Sequence, residues 1–195
     1  ATPAASSSNV IYLTANQSAT LQTGAQVLAN GTTGGSIYIT APSIATQAGS
    51  VVQANGNNGP GGIIAFSGDQ IAVAGNIAAN GTTDGGAVTM IANNGDLNIQ
   101  NSIIQTNGST GRGGSIGVSA NNNVTIQNTA IEATGFTQGG AIKIGNDASN
   151  GTLPFALSVT LDQYSSLNAN QLDINQSNQN GGLVETSGST LNLLA

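Results

Sequence analysis

The 195-residue chain contains no cysteine, no histidine and no tryptophan. Without cysteine there is neither a disulfide framework nor thiolate chemistry, and the compartment stays open, because exported repeat proteins also do without it. Without histidine a Ser–His–Asp arrangement is impossible. Charged residues are only 5% of the chain, and the two basic ones, Arg112 and Lys143, stand against eight carboxylates for a net charge of −6. Nothing here neutralises a row of phosphates, so a nucleic-acid partner is not expected. Aromatic residues are 3%, so a core must be built from Ile, Val, Leu and Ala. No apolar run reaches the roughly 18 residues of a membrane span. The opening "ATPAASSS" has no charged n-region and no apolar h-region, so any secretion signal is expected either to have been removed or never to have been part of this chain.

Glycine, asparagine, serine and threonine are abundant, and they are periodic. Gly pairs stand at Gly34-Gly35, Gly61-Gly62, Gly85-Gly86, Gly113-Gly114, Gly139-Gly140 and Gly181-Gly182, in steps of 27, 24, 28, 26 and then 42 residues. A second marker, Ala-Asn-Gly or a relative of it, ends at Gly31, Gly56, Gly81, Gly108 and Gly135, in steps of 25, 25, 27 and 27. Two interlocked markers with one period define a structural repeat.

Apolar residues keep the same frame. After the Gly pairs come Ile37 and Ile39, Ile64 and Phe66, Val88 and Met90, Ile116 and Val118, Ile142 and Ile144. This period-two alternation marks a strand with one buried face. A second strand is carried by Val27, Val52, Ile77, Ile104 and Ile131, each four residues before a marker Gly. A third, shorter piece lies between them, as Ile44 and Thr46, Ile71 and Val73, Leu97 and Ile99, Val124 and Ile126. Three short strands per repeat of about 25 residues predict an all-β, single-stranded parallel β-helix, because one repeat cannot bury its apolar face and stacked repeats can. Six to seven coils at about 4.8 Å per coil give a rod on the order of 30 Å long. Asn30, Asn55, Asn80 and Asn107 are expected to form an amide ladder at one corner.

The expected organisation is an extended segment over 1–8, regular coils over 9–144, an inserted corner loop over 145–157 and irregular coils of the same β-helix over 158–195. With no capping helix visible, the end strands carrying Val10, Ile11 and Leu13 at one end and Leu191 and Leu193 at the other are expected to be open edges. They are then able to pair head to tail with another copy.

Residues 30–144, with the pattern "ANG…GGSIxI…NVTIQN…AIEATG", resemble the repeats of bacterial exoproteins of the filamentous-haemagglutinin type, exported by two-partner secretion. The resemblance covers about two thirds of the chain. It implies a right-handed parallel β-helix at the cell surface or outside the cell, acting as an adhesin, biofilm-matrix or fibre segment. The expected partners are copies of the chain itself, head to tail or side by side, or neighbouring segments of a longer adhesin, with glycans as a further class.

A carbohydrate-active β-helix is the alternative. Asp69 and Asp96 stand 27 residues apart, each just ahead of the shorter strand. A carboxylate pair on neighbouring coils has the chemistry for acid/base work on a glycoside. Solvated corner carboxylates are the simpler reading, so neither a catalytic residue nor a cofactor is assigned. Calcium is the metal that oxygen ligands alone would suit, but Asp84, Asp147, Asp162 and Asp173 do not recur in frame and no metal site is assigned. The Thr32-Thr33 and Thr82-Thr83 pairs are interrupted by Asn57-Asn58, so no continuous threonine rank of the ice-binding kind exists. Tyr38, between Ile37 and Ile39, is expected on the outer face, beside the equivalents Ala65, Thr89, Gly117 and Lys143.

Overall fold

The computed structural model describes residues 9–145, 153–173 and 181–194. Every ladder in it is parallel, and no helix occurs among the described residues. Sheet I stacks seven strands, Val10–Thr14, Ser36–Thr40, Ile63–Gly68, Ala87–Ala92, Ser115–Ala120, Ala141–Ile144 and Leu183–Thr186. Sheet II stacks another seven, from Ser18–Leu21 to Thr190–Leu193, and sheet III six, from Gln26–Leu28 to Ser166–Asn168. The chain visits sheets I, II and III in turn, so each circuit is one coil of a parallel β-solenoid.

The sequence frame and the strand register coincide. Ile37, Ile64, Val88, Ile116 and Ile142 lie in direct register through sheet I, and Ile39, Phe66, Met90, Val118 and Ile144 form the neighbouring rank. All ten are at most 1% exposed. Val52, Ile77, Ile104 and Ile131 are equally buried in sheet III. Val27, in the first strand of that sheet, is only partly buried because it has a neighbouring strand on one side alone. The core is therefore a column of β-branched and aliphatic side chains, each contacting its equivalent one coil away, which is how a repeat that is apolar on one face finds cover.

The glycine pairs are explained by backbone crowding. At the long corner from sheet III to sheet I, the second glycine of each pair donates its N–H across its own coil. Gly35 bonds to Ala29 O, Gly62 to Ala54 O, Gly86 to Ala79 O, Gly114 to Thr106 O and Gly140 to Ala133 O, each at 2.7 Å. The first glycine donates to the next coil, as Gly34 does to Pro60 O and Gly113 to Gln138 O. A Cβ on Gly113 would run into Ala133 O and Gly140 N, and one on Gly114 into Gly86 O. Positive φ belongs elsewhere: Gly24 and Gly49, at the sheet II to sheet III corner, both have φ of 79°, and Gly145, just after the sheet I strand Ala141–Ile144, has φ of 85°.

The acceptor rank Ala29, Ala54, Ala79, Thr106, Ala133 contains one polar member. Thr106 is fully buried and its Oγ1 has no hydrogen-bond partner. Other coils hold alanine at this place, so Thr106→Ala fits the existing backbone and removes an unpaired hydroxyl. The expected result is a gain of about 1 kcal/mol, read as an upward shift of the urea midpoint at unchanged m-value.

Residues 1–8 lie outside the described residues, as does most of the expected 145–157 corner loop. Of that loop, the described part leans on sheet I. Ser119 Oγ donates to the carbonyls of Gly145 and Pro154, and Ala156 is completely buried. Beyond it the strands Ser158–Leu161, Ser166–Asn168, Leu183–Thr186 and Thr190–Leu193 continue the three ladders.

Candidate functional site

Three features of the surface are built by the register. The first is the asparagine corner. Asn30 Oδ1 accepts from the Asn55 backbone N–H at 2.7 Å, Asn55 Oδ1 from Asn80 N–H at 2.9 Å, and Asn80 Oδ1 from Asn107 N–H at 2.7 Å. Asn107 Oδ1 ends the series by accepting both N–H and Oγ1–H of Thr134, each at 2.9 Å. The ladder thus runs from side chain to main chain, one coil to the next. The Nδ2 groups of Asn30, Asn80 and Asn107 turn instead to Gln53, Gln105 and Glu132. A second asparagine device sits at the sheet II to sheet III corner, where Asn101 and Asn128 adopt φ of 51° and 45° and Asn128 Nδ2 donates to Asn101 Oδ1 at 2.8 Å. Asparagine tolerates this left-handed geometry better than other non-glycine residues. The signal was available in the sequence, since both stand two residues before a sheet III strand, where Gly24 and Gly49 stand in earlier coils.

The second feature is the outer face of sheet I. Tyr12 and Tyr38 are in register and stack, with ring centroids 5.1 Å apart and planes 15° from parallel. Tyr12 is 71% exposed. The rank continues as Ala65, Thr89, Gly117, Lys143 and Glu185. Gly117 floors a depression of about 460 Å³ whose walls include Thr89, Ile91, Lys143 and Leu153. In contrast to the Gly pairs, a Cβ at Gly117 would meet only Leu153, at an ordinary contact distance of 3.4 Å. Its missing side chain opens the surface without being demanded by the backbone.

The third feature is the set of carboxylates. Asp69 Oδ1 accepts from Asn94 Nδ2 at 2.6 Å, and Asp96 Oδ1 from Asn123 Nδ2 at 2.9 Å. The two lie on neighbouring coils, since Leu97 after Asp96 is in register with Ile71. Asp96 borders a depression of about 140 Å³ on sheet II with Ser43, Gln70 and Asn98, whereas Asp69 borders a separate one with Thr40, Pro42 and Asn93. Asp84 Oδ1 accepts from the Arg112 backbone N–H at 2.7 Å. Among the described residues no three carboxylates gather into a cation site.

The fold alters the protonation of Asp162. The Ser165 hydroxyl, donating to Oδ1 at 2.6 Å, holds it below its ordinary value of 3.8 against the opposing effect of burial, with help from backbone N–H groups including that of Asn128. A depressed folded-state pKa adds stability that is present above about pH 4 and disappears as pH falls through the folded value. Ser165→Ala is expected to raise the Asp162 pKa, as read by carboxyl-carbon NMR titration; an unmoved titration would remove Ser165 as the cause.

At the two ends the inward ranks lie open. Ile11 and Leu13 continue the ranks of Ile37 and Ile39 but are only partly buried, while Val10 sits in the outward rank and is 51% exposed. Leu191 and Leu193 stand in register with the buried Val159 and Leu161, yet are 44% and 67% exposed.

These features define a parallel β-solenoid with a polar, sparsely charged surface. No family model matches the chain, and no curated protein matches it. A solved structure does: the crystal structure of the HMW1 secretion domain from Haemophilus influenzae is similar, with a TM-score of 0.56 and 19% identity. The likeness covers 94% of this chain and 60% of that one. It bears on the fold alone, and this chain spans about three fifths of that structure's length.

Proposed function

We propose that this chain is a structural segment of an extracellular or cell-surface bacterial fibre or adhesin and has no catalytic role. The observation that carries the reading is the uninterrupted register of the three sheets, which makes a stiff rod, combined with a surface almost without charge. Such a surface lies against sugars or other rods with little electrostatic repulsion. Likeness to a secretion domain supports export, and the engagement of Asp69 and Asp96 by asparagine amides fits solvated corner carboxylates. The open ranks at the two ends fit a further coil of the same kind, supplied head to tail by a second copy. Immunogold labelling of intact source cells tests the location. Label on the outer surface or on shed fibres is expected, and label confined to the cell interior would overturn the reading.

The stacked tyrosines favour one additional role, contact with a neutral glycan along the outer face of sheet I. The register neighbour of Tyr38 on its other side is the small Ala65, a place where a pyranose ring would extend the stack. Tyr38→Ala is expected to weaken glycan-array binding, and unchanged binding would discard this role.

A further inference from the structure

Asparagine followed by glycine is the dipeptide most prone to spontaneous deamidation, because no Cβ hinders the glycine nitrogen as it attacks the preceding side chain. The chain holds eight such dipeptides, beginning at Asn30, Asn55, Asn58, Asn80, Asn94, Asn107, Asn150 and Asn180. The last two lie outside the described residues. The other six fall into two structural sets.

In the corner ladder both reacting groups are held by one residue of the next coil. Asn55 gives its N–H to Asn30 Oδ1 at 2.7 Å and takes the Gly31 N–H on its carbonyl at 3.1 Å. Asn80 does the same for Asn55 and Gly56, Asn107 for Asn80 and Gly81, and Thr134 for Asn107 and Gly108. Attack requires the glycine nitrogen to leave its acceptor and the asparagine side chain to turn away from its donor, so two hydrogen bonds between coils must break first.

Asn58 and Asn94 are exposed corner residues without that arrangement. Neither the Gly59 nor the Gly95 N–H donates a hydrogen bond among the described residues. Asn94 is tied only through Nδ2, to Asp69, which leaves its Oδ1 unheld.

We infer that Asn58 and Asn94 are the sites at which the folded protein deamidates, and that the ladder protects Asn30, Asn55, Asn80 and Asn107 from the same reaction. In the reaction the glycine nitrogen bonds to the asparagine Cγ and gives up its proton. The Cγ–Nδ2 bond breaks, and Nδ2 leaves as ammonia carrying that proton. Water then opens the succinimide at either carbonyl, giving aspartate or isoaspartate; nothing is oxidised or reduced. Each event adds one negative charge to a chain whose formal charge is −6. At position 94 it replaces the amide that donates to Asp69 by a second carboxylate. The ladder thereby gains a chemical role beside its structural one, durability of the corner that every coil shares. The inference stands on corner geometry and does not depend on where the protein is located or whether it assembles.

The test is peptide mapping by mass spectrometry, with isoaspartate detection, after incubating the chain in mildly alkaline buffer, folded and in concentrated urea. In the folded chain Asn58 and Asn94 are expected to convert at least about tenfold faster than the four ladder residues, the effect of requiring two hydrogen bonds to break before reaction. In urea the six rates should draw together. Ladder residues converting as fast as Asn58 and Asn94 in the folded chain would overturn the inference. So would Asn58 and Asn94 surviving intact in the folded chain while the unfolded chain reacts.

Discussion

Replacing Gly113 by alanine is expected to abolish or nearly abolish the folded state. The added methyl would occupy the space of Ala133 O and Gly140 N, which are main-chain atoms unable to move without dismantling the corner. It would also press on the 2.8 Å bond from Gly113 N–H to Gln138 O that joins two coils. Clashes with backbone belong to the small group of substitutions that cost more than about 4 kcal/mol. Gly117→Ala is the matched control. Its Cβ meets only Leu153, so the change is expected to fall within about 0.5 kcal/mol of the parent. Urea denaturation followed by far-ultraviolet circular dichroism separates the two. Similar behaviour of both variants would show that the Gly pairs are not set by close backbone approach.

Phe66→Ala is the second large effect. Phe66 is the bulkiest of the fully buried side chains, in register between Ile39 and Met90. Truncation loses the transfer energy of the ring and leaves a cavity bounded by neighbouring coils that strand pairing holds apart. The expected cost is about 3–5 kcal/mol, read from the same denaturation curves. Because each coil contacts mainly its neighbours, the damage is also expected to be local. Native-state hydrogen exchange should show the largest loss of protection in Ser36–Thr40, Ile63–Gly68 and Ala87–Ala92, and uniform loss along the rod would contradict a column of nearest-neighbour packing.

Much of this architecture is legible in the residues because a solenoid repeats its constraints. The alternation of Ile37 and Ile39 gives only a half-buried strand. Finding it again at Ile64 and Phe66, Val88 and Met90, and Ile116 and Val118 gives the pairing partner and the register as well. The Gly pairs announce a corner, but whether positive φ or crowding demands them depends on the path of neighbouring coils, which a single repeat does not contain. The form of the Asn30–Asn107 ladder was hidden for the same reason: an amide's choice between side-chain and main-chain partners is settled by distances of a few ångströms. Tyr12 and Tyr38 share a frame, yet the opening coil lacks its Gly pair, and that obscured their stacking. For Asp69 and Asp96 a spacing of one coil places them on neighbouring coils, and the fold gives each its own amide donor, Asn94 and Asn123.

Negative-stain electron microscopy of the purified chain across a concentration series, with light scattering on the same samples, addresses the central claim most directly. Coils that end on the open ranks of Ile11 and Leu13 and of Leu191 and Leu193 should cover one another end to end. The account predicts threads one solenoid wide that lengthen with concentration. Isolated particles of monomer mass at every concentration would contradict it.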